Sequence, residues 1–227
     1  MLPRVDTFKK VLFIKRLIAY NESFVPVGTN SDLKPFAVLW HEGVSGRSKE
    51  DIVSCFYAFM TRYRDAQKII MWLDNCCSQN KNWCFLTFLV RMINSSEIAA
   101  NEIILNFFEP GHTFMSADSF HHQVELSLKK QGKTYDFDDF ADAVQKAQKC
   151  KVEIKKMSYV DFYKWKDLKS QAKLNKDPNR PYISDIVEIK ATRGKFLLEY
   201  KTIYTDSKPV SHLSFLLIHN LHAYFST

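Results

Sequence analysis

Titratable side chains lie in two stretches of this sequence, and each stretch follows an apolar run of strand length. In the first stretch the run "KIIMWL" at 68–73 ends abruptly in Asp74. A carboxylate at the carboxyl end of a buried strand lies where α/β sheets bind ligands, and it is a ligand that hard cations prefer. The alternative is that Asp74 and Asn75 only turn the chain or cap the next helix.

The second stretch, at 109–125, follows the apolar run "EIILNFFE". If a helix begins at Ser116, four of its titratable residues are spaced i, i+3, i+4 and i+7, which places them on one broad face. Such a face indicates metal or phosphate handling, and the alternative is a solvated helix face with His112 packed under the preceding loop. The titratable residues of this stretch are Glu109, His112, Asp118, His121, His122 and Glu125.

A zinc site is a competing interpretation of the same region. Cys76, Cys77 and Cys84, together with His112 or His121, would supply soft ligands. Adjacent cysteines suit tetrahedral zinc poorly, and the chain has no C-x-x-C pair, so the pattern is unlike that of common zinc sites. The sequence also lacks the G-x-S-x-G and P-loop motifs of serine hydrolases and nucleotide-binding proteins.

The composition indicates a folded intracellular protein with an anionic partner. Hydrophobic residues make up 46% of the 227 residues, which excludes a mostly disordered chain, and the net charge of +7 favours a polyanionic partner such as a nucleic acid or an anionic membrane surface. The five cysteines are odd in number and no secretory signal precedes them, so we expect free thiols and a nuclear or cytoplasmic location. No apolar stretch approaches the roughly 18–20 residues that span a bilayer, so we expect no membrane association.

The elements that must position these residues alternate between strands and helices. This alternation predicts an α/β fold with parallel neighbouring strands. Ser48 and Asp51 resemble a capping box at the start of the first helix, and the continuous apolar run at 68–73 is typical of a strand buried on both faces. The predicted order is strand 36–42, helix 48–63, strand 68–73, helix 79–93, strand 102–109 and helix 116–130.

Beyond residue 145 the composition changes. Residues 146–176 contain ten lysines and three acidic residues, with aromatic residues between them. This segment, through Lys155 and Lys156 in particular, would suit a phosphate backbone and stacked bases, and a solvated amphipathic helix is the alternative. We therefore predict a core at 1–145, followed at 146–227 by a basic helical segment and a hairpin around Arg193-Gly194 that pack on the core.

Four sequence blocks together resemble a family of transposon-derived eukaryotic proteins whose core is known mainly as a domain of unknown function. The resemblance covers roughly residues 2–170, and the blocks occur in the order that the family shows. They are "IAYNESF" (18–24), "LWHEGVSGRSKEDIVSC" (39–55), "IMWLDNCCSQNKN" (70–82) and "FFEPGHTFMSADSFHHQVE" (107–125).

The resemblance implies a ribonuclease-H-like fold, in which one mixed sheet is flanked by helices and carries the carboxylates of a DDE-type transposase. In this family fold, carboxylates on the first strand, at the end of the fourth strand and on a later helix hold two Mg²⁺ ions. Asp74 fits the fourth-strand position, and Asp118 fits the later helix, with Glu125 as the second choice. The implied reaction is metal-dependent cleavage and strand transfer of DNA phosphodiesters.

The resemblance also assigns residues that would contact the nucleic acid. Gln79 and His112 would orient a phosphate or a water molecule, and the neighbouring Asn80 and Lys81 would contact the DNA. Apart from the resemblance, the position of Arg47 at the start of the first helix suits contact with an anion, and a simply exposed arginine is the alternative.

One element of the family pattern is expected to be missing. The first-strand aspartate of the family lies just upstream of the "LPR" at 2–4, so we expect this chain to lack that strand and its carboxylate. The remaining carboxylates would be too few for two metal ions, so we expect the nuclease activity to be weak or lost. A non-catalytic nucleic-acid-binding or protein-interaction module, which could form homo-oligomers, and a zinc-binding structural protein remain the alternatives.

Overall fold

A computed structural model describes residues 16–28, 33–75, 80–108, 115–165, 173–174, 181–204 and 211–216 of the chain. These residues form nine strands and four α-helices. The strands are β1 (Ala19–Phe24), β2 (Phe36–His41), β3 (Lys68–Leu73), β4 (Glu102–Phe107), β5 (Glu153–Lys156), β6 (Lys173–Leu174), β7 (Glu188–Thr192), β8 (Leu197–Lys201) and β9 (Ser211–Leu216). The helices are α1 (Lys49–Arg62), α2 (Trp83–Asn94), α3 (Ser116–Gln131) and α4 (Phe137–Cys150).

The chain divides into two compact units. Unit 1 comprises Met1–Phe59 and Phe114–Tyr163, and unit 2 comprises Met60–Thr113 and Lys164–Thr227. The predicted boundary after residue 145 was drawn from composition and stays a prediction.

Unit 1 contains a three-stranded mixed sheet. β2 is central, antiparallel to β1 and parallel to β5. Helices α3 and α4 contribute Phe120, Val124 and Val144 to a buried cluster with Ala37 and Leu39 of β2. All but the last residue of β2 are buried, as expected of a central strand covered on both faces.

Unit 2 contains a larger mixed sheet in the order β3-β4-β7-β8-β9-β6. β3 and β4 run parallel, and each later neighbour is antiparallel to the strand beside it. Helix α2 is buried at nine of its twelve residues and begins at Asn82, whose side chain accepts a hydrogen bond from the Phe85 N–H at 3.1 Å. This cap satisfies one of the free N–H groups of the first turn and fixes where the chain leaves the loop after β3.

The α/β class is confirmed, and most predicted elements lie within a few residues of their expected bounds. The capping box at α1 is present, because the Ser48 N–H donates to Asp51 Oδ2 at 2.6 Å and the Asp51 N–H donates to Ser48 Oγ at 3.4 Å. The predicted hairpin is also present as β7 and β8, with Gly194 at φ +81° in the turn between them. A positive φ is a conformation that glycine adopts without strain.

Three features differ from the predictions. The described strands lie in two sheets, whereas one mixed sheet was expected. β3 alternates between exposed and buried residues, so it is not buried on both faces; Ile70 and Trp72 are on the exposed side. Residues 153–156 form strand β5 and not a basic helix, because they pair with β2, and this tertiary contact overrides local helix propensity.

Candidate functional site

Asp74 lies where the sequence predicted, at the carboxyl end of a strand. β3 and β4 are parallel and end together, with Leu73 opposite Phe107, and the Phe108 N–H continues the pairing to the Leu73 carbonyl at 3.0 Å. The chain leaves the sheet at this point, so the Asp74 carboxylate lies beside the ends of two parallel strands. This is the edge at which open α/β sheets bind ligands.

Asn80 contacts the Asp74 carboxylate. The Asn80 Nδ2 group donates a hydrogen bond to Asp74 Oδ1. Asn80 is only 7% exposed, and among the described residues its other amide atom, Oδ1, has no hydrogen-bond partner. A buried acceptor without a partner costs about 1–3 kcal/mol, so an oxygen in this position favours the approach of a donor or a cation. Asp74 and Asn80 are therefore neighbouring side chains that carry a carboxylate and an amide oxygen, two ligand types that suit Mg²⁺.

Lys81 is a buried cation next to this pair. Its side chain is 1% exposed, and its ammonium group donates to Asn75 Oδ1 at 2.6 Å and to the Ser184 carbonyl at 2.8 Å. The ammonium also lies 4.8 Å from the centre of the Phe107 ring, which is within the range of a cation–π interaction. Lys81 thus connects the loop after β3 to a segment about a hundred residues later. A contact with a nucleic-acid phosphate would require Lys81 to leave these partners.

The predicted helix face in unit 1 is present. Asp118, His121, His122 and Glu125 all lie on α3 and are all exposed. Asp118 caps this helix, because its Oδ2 accepts a hydrogen bond from the Met115 N–H at 2.8 Å. Asp118 and Glu125 belong to unit 1, whereas Asp74 belongs to unit 2.

His121 links this face to strand β1. His121 Nε2 lies 3.3 Å from Ser23 Oγ, and the Ser23 hydroxyl donates to Asn21 Oδ1 at 2.8 Å, so Ser23 Oγ serves as the acceptor for His121. The pKa of His121 is lowered, chiefly because its partly covered ring disfavours the charged form; Asp118 opposes this effect. Ser23 was not predicted as a neighbour of His121, because strand β1 and helix α3 are about a hundred residues apart in the sequence.

The three predicted surface cations each have an acidic neighbour. Arg47 Nη2 lies 3.9 Å from Glu22 Oε2. Lys155 Nζ lies 2.9 Å from Asp161 Oδ1, and Lys156 Nζ lies 2.6 Å from Asp138 Oδ1. Exposed ion pairs of this kind contribute little, typically under about 1 kcal/mol, so an incoming phosphate can compete for these cations.

Several residues of the candidate site lie outside the described residues, namely Gln79, His112, Glu109, Cys76 and Cys77. Within the described ranges, no group of three or more histidine, cysteine, aspartate or glutamate side chains is arranged to hold a metal ion. Cys84 and Cys55 are buried, and burial is the main cause that raises the pKa of Cys55. The described residues therefore contain no cluster of side chains that would form the zinc site considered as an alternative.

Comparison with known proteins gives one match. A family model matches residues 39–206, about three quarters of the chain, and it is described as a domain of unknown function (DUF7869). No curated protein and no solved structure matches the chain. Among the described residues, no helix is both long enough and apolar enough to cross a bilayer.

Proposed function

Because the chain belongs to the DUF7869 family and carries a strand-end carboxylate beside a buried amide side chain, we propose that it is a transposase-type, ribonuclease-H-like domain that acts on DNA phosphodiesters. In this proposal the domain derives from a mobile element, works in the nucleus or cytoplasm and uses Mg²⁺. The observation that carries the proposal is the pairing of Asp74 with Asn80 at the ends of parallel strands β3 and β4.

The side chains at this position suit a magnesium ion. Asp74 supplies carboxylate oxygens, and Asn80 Oδ1 is a buried acceptor for which the described part of the chain provides no hydrogen-bond donor. A bound Mg²⁺ would activate a water molecule or a 3′-hydroxyl and stabilise the leaving oxygen of the phosphodiester. The protein itself would orient these oxygens. Asn80 donates a hydrogen bond to the Asp74 carboxylate, and Lys81 donates one to the side chain of the neighbouring Asn75.

We expect the activity of this chain to be weak. Mg²⁺ gives up its water reluctantly and needs hard ligands to replace it. The described residues contribute Asp74 and Asn80 but no larger ligand cluster. Asp118, Glu125 and His112 stay predicted ligands or orienting groups.

The first experiment measures Mg²⁺ binding. Titration calorimetry of the purified chain should show Mg²⁺ binding that the Asp74→Asn variant reduces about tenfold or more, since the change removes one negative charge from the ion's surroundings. Asp142→Asn is the matched control, because Asp142 is a 60% exposed carboxylate on α4. Equal Mg²⁺ affinity in the wild type and Asp74→Asn would refute the assignment of Asp74.

A second candidate function is nucleic-acid binding without cleavage. The observation that favours it is the set of exposed cations Arg47, Lys155 and Lys156, on a chain with a net charge of +7. Each phosphate contact that forms releases counterions, so affinity should fall as salt rises, with a slope of about 0.7–0.9 in log K per contact.

The salt dependence of DNA binding tests this candidate. Fluorescence anisotropy with a labelled oligonucleotide should show that Lys155→Gln/Lys156→Gln weakens binding and flattens the salt slope. Lys195→Gln serves as the control, because Lys195 lies 3.0 Å from Glu199 in a comparable surface ion pair of unit 2. An unchanged salt slope in the double variant would remove Lys155 and Lys156 from the interface.

A further inference from the structure

Strand β3 lies at the end of its sheet. In the strand order of unit 2 it has β4 on one side, and the described residues place no strand on the other. Two large apolar side chains of β3 are exposed, Ile70 at 55% and Trp72 at 41%. The Trp72 ring is held by its own chain, with the Phe108 and Tyr204 rings 5.2 and 6.2 Å away between centres.

The backbone of β3 shows which residues face the open edge. The carbonyls of Gln67 and Leu73 accept hydrogen bonds from the Asn101 and Phe108 N–H groups, so the odd-numbered residues direct their backbone groups towards β4. Because these groups alternate along a strand, Lys68, Ile70 and Trp72 direct theirs towards the open edge. The same even-numbered residues carry the exposed side chains of β3.

Natural edge strands usually carry a feature that prevents further pairing, such as a proline, a bulge or an inward-pointing charge. The sequence "KIIMWL" has no proline, and its one charge is Lys68 at the first position. A regular apolar edge of this kind is suited to pair with another extended segment.

We propose that a second copy of this chain pairs with β3, so that two β3 strands run antiparallel about a two-fold axis at Met71. In this register Ile70 of one copy lies opposite Trp72 of the other, and Ile69 lies opposite Leu73. Lys68 of each copy lies opposite the second copy's Asp74, so the two ends of the pair place opposite charges together. The segment from 68 to 74 is thus complementary to itself in charge and in apolar pairs.

The backbone selects this register over its neighbours. In an antiparallel pair, residues that both face the partner exchange two hydrogen bonds, so Ile70 must lie opposite an even-numbered residue. Shifting the strands by two residues in either direction still satisfies this rule, but it sets Lys68 or Asp74 opposite an apolar side chain. Only the register centred on Met71 pairs both charges and both exposed apolar residues.

Lys68 can take part although it already has a partner. Its Nζ lies 3.1 Å from Glu102 Oε2 in its own chain, and an ammonium group has three donors. The interface consists of one short strand, which is smaller than the roughly 1,200–2,000 Å² of stable complexes, so the pairing is reversible and depends on concentration.

The oligomeric state of the purified chain tests this proposal. Sedimentation velocity over a range of protein concentrations should show a shift from monomer to dimer. Ile70→Lys should weaken the dimer about tenfold or more, because the change acts twice in a two-fold pair. The control is Ile203→Lys, since Ile203 is similarly exposed at 53%, lies in unit 2 and is not in a strand. A chain that is monomeric at every concentration, or equal weakening by both variants, would overturn the proposal.

A charge exchange tests the register itself. Lys68→Asp and Asp74→Lys should each weaken the dimer, because each places like charges opposite one another at both ends of the strand pair. The double variant Lys68→Asp/Asp74→Lys should recover dimerisation, because it restores opposite charges in reversed order. Dimerisation that is unaffected by the single changes, or not recovered by the double change, would refute the register. Both tests read mass alone and are carried out without Mg²⁺, so their outcome does not depend on whether Asp74 binds Mg²⁺.

Discussion

At the scale of single residues, the candidate site depends on the hydrogen bonds that a few polar side chains form after the end of β3. Asp74 could be identified from the sequence as a candidate site residue, because a charged residue directly after an apolar strand is a pattern visible within a few residues. The burial of Lys81 could not be predicted, since its ammonium group donates to the carbonyl of Ser184, which is 103 residues away along the chain. From the sequence alone, Asn80 and Lys81 are polar loop residues that we expected to contact DNA.

The burial of Lys81 leads to a stability prediction. Lys81→Met keeps most of the side-chain volume but removes the donor to Asn75 Oδ1 and the Ser184 carbonyl. We expect the free energy of unfolding to fall by about 1–3 kcal/mol, because two part-buried hydrogen bonds are lost. Urea denaturation measures this change.

The control for this measurement is Lys146→Met, at a lysine that is 61% exposed on α4. Surface substitutions usually change the free energy of unfolding by less than about 0.5 kcal/mol. A Lys81→Met variant that is as stable as the control would show that Lys81 does not hold this loop.

At the scale of helices, strands and turns, the features that could be predicted are those whose sequence patterns span only a few neighbouring residues. The capping box at α1 and the hairpin turn at Gly194 each act over a few residues. β3 and β5 were predicted less well for one physical reason. Whether a strand is covered on both faces, or whether a lysine-rich segment becomes a strand, depends on contacts with distant residues such as those of β2.

The turn that follows β5 gives a pH prediction. Partial burial acts to raise the pKa of Asp161, but hydrogen bonds from the Ser158 N–H and hydroxyl and from Lys155 outweigh it, so the net pKa is lowered from 3.8. A lowered folded-state pKa contributes stability that is present above the unfolded-state pKa. This contribution is lost as the pH falls through the folded-state value.

Thermal unfolding of the wild type and Asp161→Asn should therefore differ more at pH 6 than at pH values below the folded-state pKa of Asp161. The matched control is Asp142→Asn, whose carboxylate is 60% exposed. A difference between the wild type and Asp161→Asn that stays constant as the pH falls would contradict the role given to this carboxylate.

At the scale of the whole molecule, the α/β class and the basic charge could be predicted from the sequence, whereas the division of strands between two sheets could not. Strand pairing between distant segments leaves no periodic signal within either segment. β3 illustrates the difference, because its six residues were identified as a strand, while its position at the end of the unit 2 sheet became clear only from the topology.

The central claim is that Asp74 belongs to a Mg²⁺-dependent site that acts on DNA. The most direct measurement is cleavage of end-labelled DNA by the purified chain, with and without Mg²⁺, for the wild type, Asp74→Asn and the control Asp142→Asn. We expect slow cleavage that requires Mg²⁺, is retained by Asp142→Asn and is lost in Asp74→Asn. Cleavage by Asp74→Asn at the wild-type rate, or no cleavage by the wild type under any Mg²⁺ concentration, would contradict it.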